Sequence, residues 1–240
     1  MKATRKRKRT IKDIQVREYE SGDEREVIRI FCEGMEEMVP DTAFRGLPHH
    51  PESLLLYTAI TVSCVWISWC LWVIVLLPGL LLCGRYFCSF IVKNRYTKRA
   101  MNTDMADIEG SYMKAPGSCL WVALVDGVVV GLVAAKQRCP DHGSVPDEVE
   151  LKRMSVDQKH RSCGVGLALG RKVLEFASSQ NVSKVVLGTT NYTAAAHNLY
   201  RRLGFQCVGV TDGYPTDTCA PSLLERLLYR VRHHHYELQL

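Results

Sequence analysis

Arg161-Ser162-Cys163-Gly164-Val165-Gly166 is the stretch on which the fold turns, because of what stands on either side of it. Residues 149–156 alternate apolar and polar side chains as a half-buried strand does. Residues 167–180 carry apolar side chains at helical spacing. Glycines at such a strand-to-helix junction let successive backbone N–H groups turn toward one point, and the helix N-terminus adds its partial positive charge. The combination is a cradle for an anionic pyrophosphate, with Lys159, His160 and Arg161 as local cations.

Working outward from the cradle, the spacing predicts a strand over 184–189, a helix over 194–203, a strand over 206–211 and a last strand over 229–240. Upstream, two apolar runs, 119–125 and 128–136, meet at Asp126-Gly127, a strong hairpin signal. Residues 102–112 read as a short helix with Thr103 as its cap and Asp104, Asp107 and Glu109 in its early turns. The chain opens with a strand over 14–20 and a helix over 23–38, whose Val27, Ile30, Phe31 and Met35 share one face. This order is that of a mixed α/β sheet in one domain, 14–240, preceded by a basic, disordered tail, 1–13.

The domain is interrupted. From Leu54 to Gly84 no residue is charged, and apolar character resumes after Arg85 as far as Val92, so 54–92 reads as a hydrophobic membrane insertion. Its length suits one tilted helix better than two, and Pro78-Gly79 is the expected break. Elements of one sheet lie on both sides of the insertion, which requires a re-entrant hairpin or an even number of crossings. Basic residues on both flanks, the N-terminal run and then Lys93, Arg95, Lys98 and Arg99, agree with two cytosolic ends.

Net charge of +6 comes from the tail, since seven of the 31 basic residues fall in the first twelve positions. The rest of the chain is close to neutral, which argues against a nucleic-acid face and leaves lipid head groups as the attractive partner for the tail. Ten scattered cysteines without a CxxC pair fit a reducing compartment; Cys83 and Cys88 beside the insertion are read as apolar packing, with palmitoylation as the alternative. His233-His234-His235 alternate faces in a strand and cannot chelate one metal together.

The R-x-x-G-x-G pattern after a strand, followed by Tyr200-Arg-Arg-Leu-Gly-Phe205, resembles the GNAT superfamily of acetyl-CoA-dependent N-acetyltransferases. Residues 42–47, 104–109, 116–119, 149–157, 168–177 and 185–190 are similar to its camello-type branch, and in particular to the membrane-bound aspartate N-acetyltransferases within it. The resemblance implies Glu150 as general base, Tyr200 as the acid that protonates the departing CoA thiolate, and no metal. It implies a cofactor site of Arg161, Ser162, Cys163, Gly164, Val165 and Gly166, with the backbone of Met154 and Val156 on the pantetheine arm. Two carboxylates on the acceptor call for guanidinium forks, for which Arg153 and Arg45 are the candidates. A β-bulge in this strand would swap whether Lys152 or Arg153 faces the pocket. A cysteine S-conjugate or a protein lysine is the alternative acceptor, and a membrane scaffold with an inactive domain is the non-enzyme alternative. By the same resemblance the protein belongs on the cytosolic face of the endoplasmic reticulum, with a mitochondrial membrane as the other location.

Overall fold

The computed structural model describes residues 13–45, 47, 51–69, 72–138, 147–212 and 232–240. The basic tail up to residue 12 and the first residues of the expected last strand, 229–231, lie outside the described residues. The chain divides into two compact units. One comprises Met1–Gly34, Asp107–Val185 and Leu240, and the other Met35–Ala106 and Val186–Gln239.

The first unit is built on four antiparallel strands in the order β1 (Ile14–Glu18), β2 (Ser118–Val125), β3 (Val128–Arg138) and β4 (Glu148–Val156). Asp126 and Gly127 both take positive φ, 54° and 78°, the twist that a two-residue turn needs to match its flanking strands. Trp121, Leu120, Val122 and Leu132 are buried in the sheet. Helix α4 (Val165–Ser179) packs Val165, Leu169, Val173 and Ala177 on the sheet, and its Phe176 meets Trp121 edge-on at 5.1 Å. Helix α1 (Glu24–Pro40) contributes Val27, Ile30 and Phe31, all 1% exposed or less, as its predicted stripe requires.

The second unit holds strands in the order β5 (Lys184–Thr190, from Val186 on), β7 (Arg232–Gln239) and β6 (Gln206–Asp212), with helix α5 (Ala194–Arg202) between β5 and β6 in sequence. It also contains the apolar insertion, which is two helices rather than one: α2 (Pro51–Ser68) and α3 (Val73–Met101) pack on each other. The break falls at Trp69–Trp72 and not at Pro78-Gly79. Trp69 ends α2 in a left-handed conformation, φ 51°, with its N–H on the Val65 carbonyl. Pro78 lies inside α3, where it cannot donate to the Ile74 carbonyl, yet the helix continues through it to Met101.

Both α2 and α3 are long and apolar enough to cross a membrane, and only 11% and 17% of their apolar windows are buried. The outward surface includes Leu55, Val62, Trp66, Ile67, Trp69, Trp72, Val75, Leu76 and Leu80. Toward the other end of the pair, Tyr57 meets Cys88, Val92 and Tyr192. Arg85, completely buried, donates from Nε to the Ala43 carbonyl at 2.7 Å, and Ser89 Oγ donates to the Val39 carbonyl at 3.1 Å. Beyond Arg85 the helix shows two faces: Cys88, Ser89 and Val92 are buried, whereas Tyr86, Phe87 and Phe90 remain exposed.

The expected helix over 102–112 is replaced by a turn and a single wide helical turn, Glu109–Met113. Thr103 Oγ caps no helix start; it bonds back to the Arg99 carbonyl at 2.8 Å, finishing α3. Asp107 takes the capping role instead, accepting from the Gly110 N–H at 2.8 Å.

Candidate active site

Strand β4 carries the expected bulge. Its ladder with β3 runs Leu132↔Ser155 and then Ala134↔Lys152, so Arg153 and Met154 together oppose one residue. Arg153 adopts φ 54°, a left-handed conformation that costs a side-chain-bearing residue roughly 1–2 kcal/mol. The strain re-aims the strand: the Arg153 guanidinium sits 5.5 Å from the Phe31 ring centroid, and Ser155 Oγ donates to the Ile30 carbonyl at 3.0 Å. Lys152 stays with Glu150, Nζ to carboxylate 3.6 Å, both side chains about one-third exposed. An ion pair that open is worth at most about 1 kcal/mol, so it does not lock Glu150 away from other partners.

At the end of β4 the chain is fixed by Asp157, which sequence reasoning passed over. Its carboxylate accepts from the Lys159 N–H at 2.9 Å and from Arg29 Nη2 at 3.2 Å, with His160 Nδ1 at 3.5 Å. Burial by itself would push this carboxyl up, but the bonds from Lys159, Arg29 and His160 outweigh it and hold it below its usual value. Arg29 is clamped in turn by Glu26 and Glu33, at 2.9 and 2.8 Å. The only sequence signal was an acid directly after a strand and before a basic run.

The cradle follows. Arg161 Nε donates to the Val156 carbonyl at 3.0 Å, so one backbone group expected on the pantetheine arm already has a partner on one lone pair. Ser162 and Gly164 take φ 59° and 96°, alternating the backbone so that its N–H groups can converge. Gly164 is the N-cap of α4 and makes no side-chain cap bond, while its carbonyl receives Ala168 N–H. The first N–H groups of α4, from Val165 and Gly166 onward, therefore begin without partners inside the helix. Residues 161–164, Cys163 included, are exposed. This geometry fits a diphosphate: the donors are backbone, the conformation needs glycine, and the helix charge is of the right sign.

In the second unit Tyr200 lies on α5, buried, edge-on to Phe205 at 6.0 Å and 5.9 Å from the Tyr236 ring. Burial, and secondarily Tyr236, push its phenol up to about 12, so it keeps its proton throughout the neutral range. His197, one turn earlier, bonds through Nε2 to the Thr190 carbonyl at 3.1 Å and through Nδ1 to the Tyr236 hydroxyl at 2.8 Å. A carbonyl only accepts, so Nε2 carries the proton and Tyr236 donates to Nδ1. Arg45 is 79% exposed and pairs with Asp41 at 3.0 Å, the arrangement of a surface ion pair.

The pattern of the acetyltransferase (GNAT) family matches residues 88–205, spanning the cradle and Tyr200. Human N-acetylaspartate synthetase is 48% identical over 227 residues, 95% of this chain and 74% of its own length. The chain belongs to the GNAT acetyltransferase family.

Its relatives extend that placement. N-acetylaspartate synthetase of Xenopus tropicalis is 44% identical over 96% of this chain and 83% of its own length, and mouse N-acetyltransferase family 8 member 7 is 39% identical over 82% and 86%. Among solved structures, a GNAT acetyltransferase from Kribbella flavida aligns over 95% of this chain and 98% of its own at a TM-score of 0.53 with 14% identity, which shows the fold. As a GNAT acetyltransferase the chain uses acetyl-CoA as co-substrate and performs acetyl transfer to an amine. No group of three or more His, Cys, Asp or Glu side chains placed to hold a metal occurs among the described residues. His233 and His235 share a face, their rings 5.9 Å apart, whereas His234 meets His197 at 5.0 Å, as strand alternation dictates.

Proposed function

We propose that this protein transfers the acetyl group of acetyl-CoA to the amine of L-aspartate, giving N-acetyl-L-aspartate and CoA. The observation that carries the reading is 48% identity across nearly the whole chain to a protein named N-acetylaspartate synthetase. Glu150, on the strand that leads into the cradle, removes the ammonium proton directly or through water, and the freed nitrogen attacks the thioester carbonyl. The CoA thiolate then departs. Full transfer of a proton from a phenol near 12 to a thiolate whose acid titrates near 8.5 would cost roughly 5 kcal/mol. Tyr200 therefore acts as a hydrogen-bond donor while charge builds on sulfur, and its proton moves only as the bond breaks.

The cradle of residues 161–166 holds the diphosphate, and the bulge at Arg153 and Met154 releases backbone groups for the pantetheine arm, with Val156 offering its remaining capacity. Arg153, Lys152 and Arg45 are the cations for the acceptor's carboxylates; the left-handed strain at Arg153 supports giving it first place. The domain of residues 14–240 is anchored by α2 and α3 to the cytosolic face of a membrane, that of the endoplasmic reticulum. The face of α3 that carries Arg85, Ser89 and Val92 is buried within its own unit, Ser89 Oγ donating to the Val39 carbonyl at 3.1 Å, which supports a re-entrant hairpin over a spanning pair.

A parallel acceptor screen with radiolabelled acetyl-CoA tests the reading. L-aspartate is the expected acceptor; preference for S-benzylcysteine or a lysine peptide overturns it, and acetyl-CoA binding without any turnover points to a scaffold. Glu150→Gln and Tyr200→Phe should each lower turnover by about 10²-fold or more while acetyl-CoA affinity stays within a factor of three. Unchanged rates in both reject these roles.

A further inference from the structure

Away from the residues assigned above, the second unit assembles a cysteine, a histidine and an asparagine in line. Cys207 Sγ lies 3.5 Å from Nδ1 of His234, and Nε2 of His234 lies 3.0 Å from Oδ1 of Asn191. An amide oxygen only accepts, so Nε2 carries the imidazole proton and Nδ1 presents its lone pair to the thiol, whose other acceptor within reach is the Gly209 carbonyl at 3.6 Å. Asn191 is itself held, its N–H on the Arg232 carbonyl at 3.0 Å. Burial, then His197, His235 and Arg232, lower the pKa of His234 and keep it in the free-base form that accepts a proton at neutral pH. His197 backs the ring edge-on at 5.0 Å.

The thiol is presented outward. Cys207 is exposed and stands on β6, the outer strand of β5, β7 and β6, at a bulge: Cys207 pairs with Tyr236 and Gly209 with His235, leaving Val208 extra. Bulges re-aim side chains in this way beside reactive groups. Buried Cys119 is the opposite case, its thiol pushed up to about 12 by desolvation and so inert.

We propose that Cys207 is a nucleophilic thiol, with His234 as its base and Asn191 orienting the imidazole, and that it accepts an acyl group from acyl thioesters, acetyl-CoA among them. A thiol, an imidazole and an amide in this order are the parts of a Cys-His-Asn nucleophile. His234 Nδ1 takes the thiol proton as Sγ bonds to the thioester carbon. The carbon–sulfur bond to CoA then breaks, and the departing CoA thiolate recovers the proton from His234. One thioester replaces another, so the exchange is near thermoneutral and needs no oxidant or water. The acetylated fraction of Cys207 then follows the ratio of acetyl-CoA to CoA.

The test uses the full chain in detergent micelles. Peptide mass spectrometry after incubation with acetyl-CoA should find a hydroxylamine-labile acetyl group on Cys207, at an occupancy that rises with the acetyl-CoA to CoA ratio. Iodoacetamide should alkylate wild-type Cys207 well ahead of exposed Cys163, with CoA and acetyl-CoA omitted from the alkylation. His234→Gln should slow both reactions of Cys207 by about 10²-fold, the loss expected for a general base. Equal alkylation of Cys207 and Cys163 in the wild-type protein overturns the proposal without relying on any variant. So does a Cys207 rate indifferent to His234→Gln, or accelerated alkylation with no acetyl adduct.

Discussion

Arg85 offers the sharpest prediction, because it sits where the apolar insertion meets the rest of its unit. Replacing it with methionine keeps the volume and removes the fork that donates to the Ala43 and Thr42 carbonyls at 2.7 and 3.3 Å. Hydrogen bonds from a charged donor are worth about 1.5–3 kcal/mol each, and orphaned buried acceptors cost about 1–3 kcal/mol. Water cannot readily replace the donor, since Thr42 and Ala43 are only 3% and 0% exposed. Against this, the variant no longer has to bury a guanidinium, a term of several kcal/mol in the opposite direction. The balance is a loss of about 2–4 kcal/mol, or roughly 5–15 °C in thermal midpoint for a chain of this size. Arg85→Lys, which keeps the charge and loses the fork, should fall between. Thermal unfolding in detergent measures both, and a midpoint within 1 °C of wild type for Arg85→Met would refute the clamp.

Other outcomes follow from the same geometry. Gly164→Ala places a Cβ at φ 96°, so acetyl-CoA affinity should drop about tenfold for a backbone penalty of roughly 1–2 kcal/mol, read by calorimetry. His233 is lowered to about 4 by burial first and by His235 and His234 next. The unfolded chain therefore binds the extra proton between pH 6.5 and 4, and stability present above 6.5 is lost as pH falls through that window, by at most about 3 kcal/mol. Denaturant midpoints of His233→Gln should show a flatter acid limb. Gly188→Ala would bring its Cβ to 2.8 Å from Nε2 of that histidine, and should displace the ring and raise its pKa toward the ordinary value, visible in its NMR titration.

How far the sequence could be read depended on whether the deciding contacts were local. The Asp126-Gly127 hairpin, the stripe of α1 and the glycine cradle before α4 are written in neighbouring residues, because turn conformation, helical period and strand alternation are properties of a few adjacent positions. The bulge was legible as an expectation and not as an outcome. Only the skipped register opposite Val133 shows Arg153 turning over Phe31 while Lys152 stays with Glu150. Thr103 was misread for a similar reason: its hydroxyl serves a helix start or a helix end equally well, and α3 running on to Met101 chose the end.

The long apolar run marks the sequence's reach and its limit. Length and composition alone marked 54–92 as apolar enough for a membrane insertion, and the strand order alone led to the expectation that its two ends lie on one side. Where the run bends and where it docks were decided by tertiary contacts. The left-handed turn at Trp69 makes it a hairpin, and the carbonyls of Thr42 and Ala43 give Arg85 a buried place that no reading of its neighbours could supply. Hydropathy sums over adjacent residues, whereas a buried charge is stabilised by partners some forty positions away, and only the folded chain brings them within hydrogen-bond distance.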